Sequence, residues 1–237
     1  MLSTGLLLLI AAFVGCSRPA GSIATGDVIF IHPDGSGASL WGALRFATVG
    51  PDGMLNWDRL EAMGLYRGHV LDSTNASSHA GATVHAFGVK VPFETYGVHP
   101  DRPIASASGK PHSLLVEAME AGHATALINS GHIAEPGTGA FAASWPDRED
   151  TDPIVEQIIT SGVDIILSGG EILLLPEGVV GRHGKAGVRK DGRNLIEEAA
   201  ALGYTVVYTR DELLELPDTV DRVLGVFAAK HTFNDEL

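Results

Sequence analysis

Short apolar runs alternate with stretches whose apolar positions recur at helical spacing, from residue 27 to the end of the chain. Residues 27–32 (DVIFIH) predict a strand that runs into the loop Pro33-Asp34-Gly35-Ser36-Gly37 and then a helix. Residues 113–121 predict a helix stopped by Gly122, with a strand over 124–129. Residues 153–161 predict a second such helix, with Pro153 in its first turn and Gly162 at its close, before a strand over 163–168. A third helix over 194–202 ends at Gly203 and leads to a strand over 204–208, and residues 222–228 read as one more buried strand. Helices of about ten residues set between apolar strands build βαβ units on a parallel sheet. The expected fold class is α/β, with no internal repeat or low-complexity tract.

The first residues depart from this pattern. Residues 5–15 (GLLLLIAAFVG) are an apolar run with the length of a signal-peptide core, too short for a membrane span. The run meets Cys16 through Val14 and Gly15, and resembles the bacterial lipoprotein cleavage box. The resemblance implies that residues 1–16 are a signal segment ending at a lipidated Cys16 and that 17–26 are a tether. It implies export to the periplasm or outer membrane, with membrane contact only through the lipid. Composition narrows the rest. The 237 residues carry a net charge of −13, the wrong sign for a surface that displaces counterions from nucleic-acid phosphates. Cys16 is the single cysteine, which excludes an intramolecular disulfide and any multi-cysteine zinc site.

Ligands of parallel sheets bind beyond the carboxyl ends of the strands, and three loops there carry chemistry. Asp34 follows the first predicted strand between glycines, where a carboxylate suits a metal and the backbone can approach closely. Residues 73–83 (STNASSHAGAT) crowd small residues and hydroxyls and run into a helix through Gly88; amides at a helix start favour a phosphoryl group on a hydroxyl there. A bare N-cap with a small-residue packing face is the structural alternative. Glu135 and Thr138 offer oxygens for a hard cation, and Arg148, thirteen residues past Glu135, has the planar fork that grips two phosphate oxygens.

Taken together and in order, these loops resemble the metal-dependent alkaline phosphatases. The Asp34-Gly35-Ser36-Gly37 loop, the helix that closes with Gly88-Val89-Lys90 ten residues past Ser78, the stretch from Glu135 to Arg148 and the later strand VLGVFA all carry the likeness. It implies a three-layer sandwich on a mostly parallel sheet over 27–237, incomplete toward the C-terminus. It implies hydrolysis of a small-molecule phosphomonoester through a phosphoserine on Ser78, with Mg2+ and Zn2+ as cofactors. Arg148 then grips the phosphate, Asp34 bridges the metals, Ser78 faces them, and Glu135 with Thr138 completes the magnesium site. A homodimer is compatible with the family. Ser77 stands where the family carries an aspartate that holds the arginine, and Gly137 stands at the family's hydroxyl ligand, one place before Thr138.

The residues themselves support metal-assisted chemistry: a serine hydroxyl is a poor nucleophile without a base or a metal, and no G-x-S-x-G elbow is present. The family's later zinc ligands have no counterpart before Leu237. None of His123, His132, His183 and His231 shows paired zinc spacing, so each is expected to be a surface or packing residue. Two further readings therefore accompany the phosphatase: a catalytically inactive fragment of the fold, and a related phosphodiesterase. The basic loop Arg182 to Arg193 is expected to be solvated, and Trp41, Trp57 and Trp145 to pack.

Overall fold

A computed structural model describes residues 26–99 and 103–232. Cys16, the signal segment and the tether up to residue 25 lie outside them. The chain divides into two units, Met1–Pro33 and Asp34–Leu237.

In the second unit, β1 (Ala126–His132), β2 (Ile165–Gly169), β3 (Thr205–Val207) and β4 (Val223–Val226) form one sheet in the order β1-β2-β4-β3. Every pairing is parallel. Ile166 faces Leu127 on one side and Leu224 on the other in register, so the sheet centre is a ladder of aliphatic side chains. The helices are α1 (Ala38–Thr48), which buries no residue, α2 (Ser78–Phe87), α3 (Leu114–Glu120), α5 (Thr151–Thr160) and α7 (Leu195–Ala201), with the short turns α4 (Pro136–Gly139), α6 (Glu171–Leu174) and α8 (Arg210–Leu214). The fold is α/β with an open parallel sheet, as the alternating pattern predicts.

Helix α5 shows how the sequence makes this arrangement. Ile154, Val155, Ile158 and Ile159 recur one turn apart and are all buried against Leu127, Ile166 and Leu224. Burying each such side chain contributes roughly 1.5–3 kcal/mol before ordering costs. Helix α7 adds Leu195 and Ala199 to the same core. Helix α2 instead buries Ala80, Val84, Ala86 and Phe87 with Val70, Val91 and Ile104, a smaller second core.

The strand predicted over 27–32 is not formed. Residues 26–33 have no regular structure, and Val28, Ile29 and Ile31 are at least four-fifths exposed, at 90%, 83% and 80%. Its residue types are those of a strand, but a strand exists only within a paired ladder, and the ladders of the described residues do not include 26–33. The other boundaries move by a few residues. The first sheet strand begins at Ala126 rather than 124 and continues to His132, because His132 pairs with Gly169 beyond an irregularity in the register.

Candidate active site and metal centre

The carboxyl ends of β1, β2 and β4 lie side by side, and the chain segments leaving them are knitted together. The Ile133 amide donates to the Gly169 carbonyl at 3.1 Å, and the amides of Gly170 and Ile172 donate to the carbonyls of Ala228 and Ala229. Past β4, the Thr232 amide and hydroxyl both donate to the Ser130 carbonyl, at 3.1 and 2.6 Å. Gly169 makes this closure sterically feasible: a Cβ there would stand 2.2 Å from the Lys230 carbonyl oxygen. The segment carrying His231 is thereby held against the exit of β1.

Three donors meet at this point. His132 Nε2 lies 3.3 Å from Glu135 Oε1, the His132 and His231 rings are 5.2 Å apart, and the three ligand atoms lie within 4.8 Å of one another. Gly131 leaves the space for them, since a Cβ on it would meet Glu135 Cγ at 2.8 Å and His231 Nδ1 at 3.5 Å. Burial pushes the His132 imidazole below its ordinary pKa, with Glu135 opposing and His231, Lys230 and Arg148 reinforcing that shift. Desolvation disfavours the cation, and the neutral ring is the ligating form. His132 and His231, expected from the sequence to be surface or packing residues, pack against each other beside Glu135. Their sequence separation hid the pair, and only the β4 exit loop brings it together.

Arg148 sits on the other side of Glu135. Its Nε is 3.1 Å from Glu149 and its Nη2 3.9 Å from Glu135. Thr138, in α4, accepts a hydrogen bond from Asn129 Nδ2 at 2.9 Å. Ser78 is the first residue of α2 and is exposed. Ser77 is the helix cap: its hydroxyl accepts from the Ala80 amide at 3.2 Å and donates to the Phe93 carbonyl. Beside Ser78, buried His79 reaches Glu94 at 3.1 Å through Nε2, while its Nδ1 is buried without a hydrogen-bond partner. Asp34 is exposed in the loop before α1. Among the described residues, no hydrogen bond or ion pair joins Asp34 or Ser78 to Glu135, Thr138 or Arg148. The structure therefore gathers Glu135 with Arg148 and two histidines.

The basic loop is only partly the solvated loop expected. Arg189 is fully buried and pairs with Asp191, with Asp152 3.8 Å away. Arg193 bridges Glu156 and Glu198, and Arg182 lies over the Tyr208 ring while pairing with Glu212. These cations are held by internal acids. Trp41 packs on Trp57 with ring centroids 4.6 Å apart.

The parallel α/β sheet thus carries carboxylate, imidazole and guanidinium groups at its carboxyl end. The alkaline phosphatase family model matches residues 26–235, and the chain belongs to that family. It is 26% identical over 238 residues to the membrane-bound alkaline phosphatase of Bombyx mori, covering 87% of this chain and 43% of that protein. It resembles the crystal structure of Thermus thermophilus alkaline phosphatase with a TM-score of 0.64 at 30% identity, over 81% of this chain and 37% of the other. A variant of the alkaline phosphatase from the Antarctic bacterium TAB5, with Mg bound in its M3 site, shares the fold with a TM-score of 0.67 at 20% identity, over 84% and 51% of the two chains. The chain thus spans about half or less of the length of these relatives.

Proposed function

We propose that the chain is a phosphate monoester hydrolase of alkaline phosphatase type, with Ser78 as its nucleophile. One observation carries the reading: an exposed hydroxyl at the first residue of a capped helix, in a chain that matches the family model over 26–235. The amides at the start of α2 face the place where a phosphoryl group on Ser78 Oγ would gather charge. In the reaction Ser78 Oγ bonds to phosphorus while the bond from phosphorus to the alcohol oxygen breaks, and the alcohol leaves with a proton. Water then attacks the phosphoserine, releasing phosphate and restoring the hydroxyl. Arg148 grips two phosphoryl oxygens and offsets their charge.

The family's metals, Mg2+ and Zn2+, would supply Lewis acidity at the serine oxygen and the leaving oxygen. Glu135 fits a cation, standing partly buried with two imidazoles beside it. Asp34 is proposed as a further ligand on sequence order alone, and Thr138 as another, its amide donating to the Glu135 carbonyl at 3.4 Å in the turn α4. The substrate is a small phosphomonoester. The arrangement proposed for the whole chain is a signal segment over 1–16, a tether over 17–26 and the phosphatase domain over 27–237. A lipid on Cys16 would hold the protein outside the cytoplasm, and dimerisation would follow the family.

Turnover of an aryl phosphate with magnesium and zinc supplied tests the reading. Ser78→Ala should remove essentially all of it, and mass spectrometry should find a phosphoryl group on Ser78 of the parent. Arg148→Ala should lower the rate by about 10² to 10³, the scale of one lost charge-stabilising contact. Turnover that survives Ser78→Ala overturns the nucleophile assignment. A chain that neither turns over nor takes a phosphoryl group on Ser78 is the inactive member of the fold.

A further inference from the structure

The donor set assembled at the sheet's carboxyl end is not the oxygen-rich set that a magnesium ion prefers. Mg2+ demands near-octahedral oxygen ligation and parts with its water reluctantly. Two imidazoles and one carboxylate match instead the three-ligand sites of zinc and its neighbours in the first transition row.

We propose that His132, Glu135 and His231 form a site for one zinc-class divalent cation, with its fourth coordination position open. The proposal shares Glu135 with the phosphatase reading and needs none of that reading's other residues. Four observations support it. The three ligand atoms lie within 4.8 Å of one another, so small side-chain rotations bring them to the ~2.0–2.2 Å that zinc requires. Gly131 leaves a cradle that any side chain would fill, because a Cβ there would stand 2.8 Å from Glu135 Cγ. The backbone on both sides is fixed, since Thr232 is bonded twice to Ser130 and the Ile133 amide is bonded to Gly169. Only side chains need move when the ion binds. Finally, Glu135 is not tied up by Arg148: their separation is 3.9 Å, and Arg148 has Glu149 closer at 3.1 Å.

The site also explains why the three side chains are on separate segments. His132 ends β1, Glu135 caps the turn α4, and His231 follows β4. An ion held by all three would clamp two strands that are not neighbours in the sheet.

Calorimetric titration of the metal-free chain with zinc tests this without any turnover. The expected result is one zinc per chain, and a cobalt-loaded sample with a visible d–d band that zinc abolishes. His132→Ala and His231→Ala should each weaken zinc binding at least tenfold, the lower end of what even outer-shell partners of a metal contribute being ~10-fold. His123→Ala, an exposed histidine elsewhere, should leave the binding unchanged. Gly131→Ala keeps all three donors and should cause the same loss by filling the cradle, which covers the case in which a histidine variant fails to fold. Zinc bound equally tightly by both histidine variants overturns the proposal. So does a parent chain that takes up no zinc, or one in which equimolar magnesium displaces it. Failure of the phosphatase reading would leave the zinc stoichiometry as stated, and failure of the zinc site would leave phosphoryl transfer to Ser78 to be judged by itself.

Discussion

Arg189 illustrates how single residues in this chain depart from their sequence-level expectation. Its guanidinium is fully buried, donates to both oxygens of Asp191 and lies 3.3 Å from the carbonyl oxygens of Asp152 and Leu173. A buried cation persists only with its partners in place. The hydrogen bonds from Arg189 hold the Asp191 carboxyl below the usual carboxylate range. A depressed folded-state pKa means that the stabilisation is present above the ordinary aspartate range and fades as pH falls through the lowered value. Urea unfolding at neutral and at acid pH should therefore show the parent losing more stability on acidification than Asp191→Asn does. At neutral pH Asp191→Asn should be the weaker protein by about 1–3 kcal/mol, the cost of leaving a charged hydrogen-bonding group without its partner. Equal acid sensitivity of the two proteins would contradict this account. None of it was visible in the string of basic residues from 182 to 193, because a burial pattern for charges has no periodicity to read.

At the scale of elements, helix termini are where sequence and structure agree most closely. Ser77 caps α2, Ser113 caps α3 and Asn194 caps α7, each accepting a first-turn amide. At the far end of α2, Gly88 takes the left-handed conformation with φ +68°, and a Cβ there would meet Ala107 Cβ at 2.9 Å. Gly88→Ala should accordingly destabilise the protein by about 1–2 kcal/mol, the penalty of a side chain in that backbone region. A shift of the urea midpoint without a change in slope is the expected reading, and an unmoved midpoint would contradict it. Caps and glycine stops are local chemistry, so the order of helices and strands could be read from residue types. The failure at 27–32 has the opposite cause. Its alternation records a preference for burial, whereas a strand needs a hydrogen-bonded neighbour that the same residues cannot specify. The turns α4 and α6 escaped notice because four-residue helices of the composition Pro-Gly-Thr-Gly or Glu-Ile-Leu-Leu carry no periodic signal.

For the molecule as a whole, the candidate site was half readable. Glu135 and Arg148 announced themselves through a familiar spacing, and the structure places them within ion-pair distance of each other. His132 and His231 did not, since nothing in local sequence relates two positions brought together by sheet order. Where the chain resides is a further question at this scale. Among the described residues, no helix is long and apolar enough to cross a membrane, and a lipid on Cys16 is the attachment proposed. Metabolic labelling with a palmitate analogue in a bacterial host should mark the parent and not Cys16→Ser. An unlabelled parent, or cleavage at a later residue, would refute the lipoprotein assignment.

The bond from the Thr232 hydroxyl to the Ser130 carbonyl spans 102 positions of the chain. Closing so long a loop costs conformational entropy before any contact rewards it, and contacts of such separation form late in folding. In the folded chain β2 lies between β1 and β4, and His231 meets His132 across its end. The cluster at the sheet's end is therefore a reporter of long-range docking: its three donors come together only where the exits of β1 and β4 are brought to the two sides of β2.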